Sequence, residues 1–432
     1  MNRDNAIGST VQGKEISVTA GRDINAQAAY VNAEGSLSAT AANNINIGTD
    51  VSTASARDQH KKSDSGGMLA SRTVTTDDSS SQAINQGTTF SGNTVAVRAG
   101  NDINVKGSNV VSTEGTGLAA GNDINIVAAV DNNTQSNFRQ ERTSGVMGSG
   151  FGVTIGTREQ SHDGKTQDQT ASASTVGSTD GNVSVVAGNR YAQVGSDVLA
   201  PKGDVDIAAK SVEIRAAEQA SKSTTEDKYK QSGLTVAVTS PVISAIQTVG
   251  QMAEAASKTK DGRVKALAAA TAGMSAYSAV GEMQKGATEG SANIGISATI
   301  GSSQNSNRTE QNTVTQRGSA LASGGNMSIR ATGDGTNSNI TVAGSDINAK
   351  GDLALRADND INLIAAQNSD EQHSNRSSSS WGVGITAQIG SQSKLGFTAN
   401  AAGSRGNSDG KDVSNVMNAG ACGWAGQYRF GT

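Results

Sequence analysis

Few side chains in this 432-residue chain stand where they could do chemistry, and the most regular are five aspartates, Asp23, Asp102, Asp123, Asp346 and Asp360, each followed by Ile-Asn. Carboxylates recurring beside glycine are what calcium-binding nonapeptide β-rolls use. The Gly-Gly-x-Gly-x-Asp order of such rolls is absent, so these aspartates are expected to hydrogen-bond turn backbone and stack in ladders. His60, His162 and His373 lie in polar stretches with Asp58, Asp163 and Asp370 nearby, and no two of them have ligand spacing. Glu226 and Asp227 are adjacent, whereas acid–base catalysis needs two carboxylates held apart across a cleft. There is no Gly-x-Ser-x-Gly elbow with a plausible histidine partner and no phosphate-binding Gly-Lys-Ser loop. The single cysteine, Cys422, excludes an internal disulfide framework and fits no metal motif. The expectation is therefore no enzymatic activity, no cofactor and no bound metal.

The elements that carry these aspartates are repeats. Gly-Asn-Asp-Ile-Asn stands at Gly100–Asn104 and Gly121–Asn125, with variants at Gly21–Asn25, Ala42–Asn46, Gly344–Asn348 and Asp358–Asn362. Alternating apolar residues lead into each turn, as in Ile16, Val18 and Ala20 or Val95, Val97 and Ala99, and others leave it, as in Ile124 and Ile126 or Ile361 and Leu363. A spacing of two is strand periodicity, and Gly and Asn let the chain turn a corner between short strands. Strands this short bury an apolar face only when coils stack on one another. The fold predicted is all-β, a right-handed parallel β-helix or a close relative, with Ile124, Ile126, Ile361 and Leu363 pointing inward.

A longer period overlies the short one: Ile16, Val95, Val183 and Met327 begin equivalent blocks, 79, 88 and 144 residues apart. Each block follows its coil-forming part with a Ser-, Thr-, Gln- and charge-rich stretch carrying a strand of another kind. These strands read Phe151–Ile155, Leu234–Val238, Ile294–Ile300 and Trp381–Ile389, apolar on one face and Gly, Thr or Ser on the other. They are expected to leave the helix as protruding hairpins. Val153, Ile155, Val236, Val238, Ile294, Ile296, Val383 and Ile385 are the candidate interaction or membrane-facing positions, since the apolar row spans about the length a tilted membrane strand needs. The alternative is a second sheet that covers one side of the stack.

Residues 241–290 differ in kind. Ser240 can cap a helix that Pro241 begins, Val242, Ile243, Ile246, Val249 and Met252 follow at helical spacing, and Asp261-Gly262 breaks it before Val264, Leu267, Met274, Tyr277 and Val280 return. The organisation expected is β-helical repeats over 1–240, a helical hairpin insertion over 241–290, repeats again over 291–418, and an atypical tail over 419–432 holding Cys422, Trp424, Tyr428 and Phe430. The insertion packs on the solenoid, caps an edge or touches lipid.

Composition agrees with a solenoid. Aromatic residues at 3 % and hydrophobic residues at 34 % are too lean for a compact globule of this length, and 52 glycines without a three-residue period exclude collagen. A formal net charge of -4 and the lack of a basic run with interleaved aromatics argue against nucleic-acid binding. Polar residues follow Met1 directly, without the apolar run of a signal peptide, and no stretch approaches the roughly 18 apolar residues of a spanning helix. Repeats that begin within the first turns, with no cap, read as a fragment of something longer.

The Ala-Gly-Asn-Asp-Ile-Asn turns, Gly-Ser-Asp-Val at Gly195–Val198, Gly-Ser-Asp-Ile at Gly344–Ile347 and the Ser-rich stretches ending in Gly-alternating strands resemble the haemagglutinin-repeat region of filamentous-haemagglutinin-like proteins. That family includes the large effectors of contact-dependent growth inhibition. The resemblance covers the chain to about Val416. It implies a secreted or surface protein of a Gram-negative bacterium, exported by a two-partner secretion transporter through an amino-terminal domain not seen here, and meeting a target-cell receptor or outer membrane. The function expected is a non-catalytic β-helical stalk for cell contact or toxin delivery. The alternatives are a membrane-inserting translocation segment for a carboxy-terminal toxin and, from another class, a β-helical carbohydrate-active enzyme, for which the chain has too few aromatics.

Overall fold

The computed structural model describes residues 1–65, 70–149, 152–239, 294–389, 394–416 and 429–431. The expected helical hairpin at 241–290 and all of the 419–432 tail except 429–431 lie outside them.

The described residues form eight stacked coils. The first is built from Thr10–Gly13, Ile16–Ala20 and Ile24–Gln27, and the last from Asp346–Ala349, Leu353–Ala357 and Ile361–Ile364. Within the stack every strand pairs in parallel with its equivalent in the coils above and below, so equal positions form columns. One column runs Ile16, Leu37, Val95, Thr116, Val183, Val205, Met327, Leu353. Another runs Ile45, Ile103, Ile124, Tyr191, Val212, Ile340, Ile361. All but Thr116 belong to or pack against one continuous buried core, with Leu353 and Ile361 partly buried at its end. Each Ile or Val removed from water contributes roughly 1.5–3 kcal/mol, and none can be buried without its neighbouring coils.

Ile124 and Ile126 are buried as expected, and Ile361 packs partly against the core. Leu363 is not buried: it is 64 % exposed. Its strand pairs only with Ile340–Ala343 among the described residues, so the column is covered on one side alone.

Polar ladders hold two of the corners. At the Asn-Asp corner, Asp23 Oδ1 accepts from the Asn43 amide and the Asn44 N–H (2.8 and 3.0 Å), and Asn44 Oδ1 does the same for Asn101 and Asp102. Asp102 and Asp123 continue the series onto Asn122 with Asp123 and onto Asn189 with Arg190. Asn25, Asn46, Asn104 and Asn125 form a second ladder beside it, with amide-to-oxygen distances of 2.7–2.9 Å. The turn aspartates Asp23, Asp102 and Asp123 thus act as expected. Asp346 does not: Gly344-Ser345-Asp346 sits at a different corner, where a serine replaces asparagine.

That corner is a column of hydroxyls. The N–H groups of Thr88, Ser108, Ser174, Ser196 and Ser319 donate in turn to the hydroxyls of Ser108, Ser174, Ser196, Ser319 and Ser345. The hydroxyls donate onward to backbone carbonyls, as Ser174 does to Val127 at 2.7 Å and Ser319 to Arg215 at 2.9 Å. Glycine precedes Ser108, Ser196 and Ser345, where the backbone turns left-handed, with φ of 53°, 52° and 54° at Gly107, Gly195 and Gly344.

A candidate interaction face on the hairpin sheet

After every second coil the chain leaves the stack as a long antiparallel hairpin. The four hairpins are Ile45–Ser65 with Ala70–Gly87, Ala129–Ser149 with Gly152–Ser172, Ala217–Thr239 with Ile294–Arg317, and Ala366–Ile389 with Lys394–Val416. Adjacent hairpins pair edge to edge, giving one continuous lateral sheet. A strand of 21 residues such as Ala129–Ser149 reaches about 70 Å at ~3.4 Å per residue.

The part of each hairpin nearer the stack is polar and joined by cross-strand charge pairs. Arg57 grips Asp77 with two hydrogen bonds of 2.9 and 2.6 Å while the Gln59 amide adds a third at 2.9 Å; the Arg57 guanidinium first, then Gln59, pull the Asp77 carboxyl down to about 2. Arg72 joins the first hairpin to the second through two 2.7 Å bonds to Glu141, which lower the Glu141 carboxyl. The histidines find other partners than their neighbours in sequence suggest. His162 meets Asp227 across strands at 2.7 Å, not Asp163, and His373 meets Asp409, not Asp370. Successive strand residues point to opposite faces, so the residue across the ladder is nearer than the next in the chain. His60 does pair with Asp58, at 3.2 Å. Among the described residues no three His, Cys, Asp or Glu side chains converge as metal ligands.

The far part of the sheet is where the candidate residues lie. Strand register aligns them in rows on one face: Val146, Ile155, Leu234, Ile300, Val383, Ala399 in the first and Gly148, Val153, Val236, Ala298, Ile385, Phe397 in the second. A third brings together Val238, Ile296, Ala387 and Leu395. Ile294 pairs with Ile389 through the backbone. Leu234 is half-buried; exposure of the other large side chains runs from 38 % at Val146 to 55 % at Ile300, and reaches 67 % and 82 % at Leu395 and Phe397. Val153, Ile155, Val238, Ile296, Val383 and Ile385 are all exposed. The apolar row therefore faces outward and does not pack on the stack. Leu395, Phe397, Ile300 and Val146 complete it. Leu395-Gly396-Phe397 carried the same apolar–Gly–apolar alternation as the strands singled out from sequence.

On the opposite face a row of small and hydroxyl side chains, Thr154, Thr235, Thr299, Gly384 and Thr398, has Met147 at its end, with Thr154 and Thr235 hydroxyls 2.9 Å apart. Met147 and Thr154 are buried. Beside it Gly145, Gly156, Gly233, Gly301 and Gly382 fall opposite one another on five successive strands. At Gly156 and Gly301 a β-carbon would strike the backbone of the neighbouring strand, and Gly145 has φ of 106°. The glycine row is a line of close strand approach between the polar and apolar parts of the sheet.

A stack of coils with a lateral sheet of repeated hairpins defines a repetitive β-helical scaffold, and the chain belongs to the hemagglutinin-repeat family, whose model matches residues 1–77, 68–189, 155–274 and 299–421. It is 37 % identical over 391 residues, 87 % of its own length, to the 16S rRNA endonuclease CdiA of Enterobacter cloacae, and 33 % identical over 371 residues, 83 % of its length, to the tRNA nuclease CdiA-2 of Burkholderia pseudomallei. The deoxyribonuclease CdiA of Yersinia pseudotuberculosis is 38 % identical over 278 residues, 63 % of the chain and 25 % of that protein. The chain spans only 12 % of the length of the Enterobacter and Burkholderia relatives. No solved structure matches it.

Proposed function

We propose that the chain is a non-catalytic stalk segment of a contact-dependent growth-inhibition protein, displayed on the surface of a Gram-negative cell and holding a toxin domain at a distance. The observation that carries this is the alignment with CdiA proteins over most of the chain, on residues that build a stack and a lateral sheet. The nuclease activity in the relatives' names then belongs to another part of the long protein. Export would use a two-partner secretion transporter acting on a domain outside this sequence. The part that meets the target cell is the outward apolar face around Val153, Ile155, Val236, Val238, Ile296, Val383 and Ile385, and the partner is the target outer membrane. Apolar residues outward with Gly, Thr and Ser behind them is the alternation that outer-membrane strands use.

The test is co-culture of target cells with cells displaying the full-length protein, wild type or carrying Val236→Asp and Ile385→Asp. Display, followed by an epitope tag, should be unchanged, and target inhibition should fall to the level of a toxin-inactive control. Normal display with undiminished inhibition would remove the face from the mechanism. Loss of inhibition when a register-preserving two-coil unit is deleted elsewhere in the stalk, with display intact, would argue against a mere spacer.

A further inference from the structure

The exposed apolar face is self-complementary. At one edge stand Phe397 and Leu395, the most exposed, and at the other Val146 and Gly148, the latter with nothing within 4 Å of where its β-carbon would stand. Between them the sequence of strands is Ala129–Ser149, Gly152–Ser172, Ala217–Thr239, Ile294–Arg317, Ala366–Ile389 and Lys394–Val416. A twofold axis parallel to the strands and midway across these six would lay each row on itself in reverse. Phe397 of one copy then falls on Gly148 of the other, the largest side chain of that row on the smallest, and between them aliphatic side chains meet, Ile385 on Val153, Ala298 on Val236 and Ile300 on Leu234.

The size also fits. Six strands at ~4.8 Å spacing and about seven residues of strand at ~3.4 Å give a patch of about 600 Å². That is at the upper limit of what a soluble monomer exposes. Two copies would bury about 1,200 Å², the lower bound of a stable specific interface. Two sheets packed face to face in this way form a sandwich with interdigitated inner side chains.

We propose that in water two copies of this chain pair through this face as an isologous dimer, with Phe397 of each seated over Gly148 of the other. The proposal concerns the free chain in water, before this face meets a membrane, and stands or falls apart from the toxin-delivery role. The experiment is sedimentation equilibrium of the purified chain over a wide concentration range, with Phe397→Asp and Val236→Asp as interface variants and circular dichroism to show that the fold is kept. A second arm uses Gly148→Cys with Phe397→Cys in a Cys422→Ser background, under mild oxidation. Wild type should reach twice the chain mass, both aspartate variants should stay at the chain mass, and the double-cysteine chain should form a covalent dimer that neither single cysteine forms. A wild type that stays monomeric overturns the proposal, as does a dimer that survives both aspartates. A chain that stays monomeric in water and only binds outer-membrane-lipid vesicles through the same residues also overturns it, and leaves the face to the membrane contact alone.

Discussion

Ser174→Ala is the sharpest test of how the coils are tied together. Ser174 is fully buried; its hydroxyl accepts the Ser108 N–H at 3.2 Å and donates to the Val127 carbonyl at 2.7 Å. Alanine removes one oxygen, leaving almost no cavity. The Val127 carbonyl keeps the Gly107 N–H at 3.0 Å, so the group left bare is the Ser108 N–H. An unsatisfied buried donor costs about 1–3 kcal/mol; taking the middle, about 2 kcal/mol makes the open form of the fourth and fifth coils roughly thirtyfold more populated. Because a stack of repeats need not unfold in one step, hydrogen exchange is the right assay. Exchange should accelerate at Ile126 and Val176, which lie in the coils that Ser174 joins, and far less in the first coil. Ser174→Thr should restore protection, because Thr88 already occupies the equivalent place, donating to the Gly48 carbonyl at 2.7 Å. Unchanged exchange in Ser174→Ala, or equal damage from threonine, would refute the hydroxyl column as a source of stability.

Ile207→Ala, at a fully buried position inside the stack, should destabilise by about 2–5 kcal/mol in urea melts, whereas Val236→Ala on the exposed face should change stability by less than about 0.5 kcal/mol. Asp77 has an ordinary value of 3.8 and is held at about 2 by Arg57 and Gln59 in the folded protein, so the unfolded chain binds the proton more readily. Its stabilisation of the first hairpin is present above about pH 4 and is lost as pH falls towards 2. Pepsin cleavage within residues 49–87 should rise over that window, and Asp77→Asn should flatten the rise. Gly301→Val should disturb strand pairing, since its side chain would strike the Trp381 backbone; chemical shifts at Gly233 and Gly382 should move more than those at Gly406, where nothing stands within 4 Å of an added β-carbon.

The solenoid was legible because its signals are local: two-residue apolar spacing and Gly-Asn corners both fit within a pentapeptide. The long period was legible too, since Ile16, Val95, Val183 and Met327 hold the same place in the first, third, fifth and seventh coils. What escaped was set by register between distant segments. No local rule says that Gly145, Gly156, Gly233, Gly301 and Gly382 align, or that His162 reaches Asp227, because strand pairing decides both. The serine column escaped for another reason. Gly-Ser-Asp at Gly195 and Gly344 looks like a variant of Gly-Asn-Asp, and only the corner on which it falls separates a buried hydroxyl relay from an exposed amide ladder. The apolar strands themselves were visible, but the direction they face was not, since alternation gives two faces without saying which one meets water.

The rhythm of one hairpin to every two coils has a consequence for how such a chain can grow. Each coil advances the stack by one strand spacing, ~4.8 Å, and each hairpin widens the lateral sheet by two strands, so both advance by ~9.6 Å per unit. Stack and side sheet therefore stay in step over any length, like two gears of equal pitch. Duplicating one coil alone would carry the next hairpin a strand too far and leave a gap in the side sheet. Duplicating two coils with their hairpin inserts without a seam. The smallest heritable increment is therefore that whole unit, which gives lineages of this architecture lengths that differ in discrete steps while every edge inside the molecule stays paired.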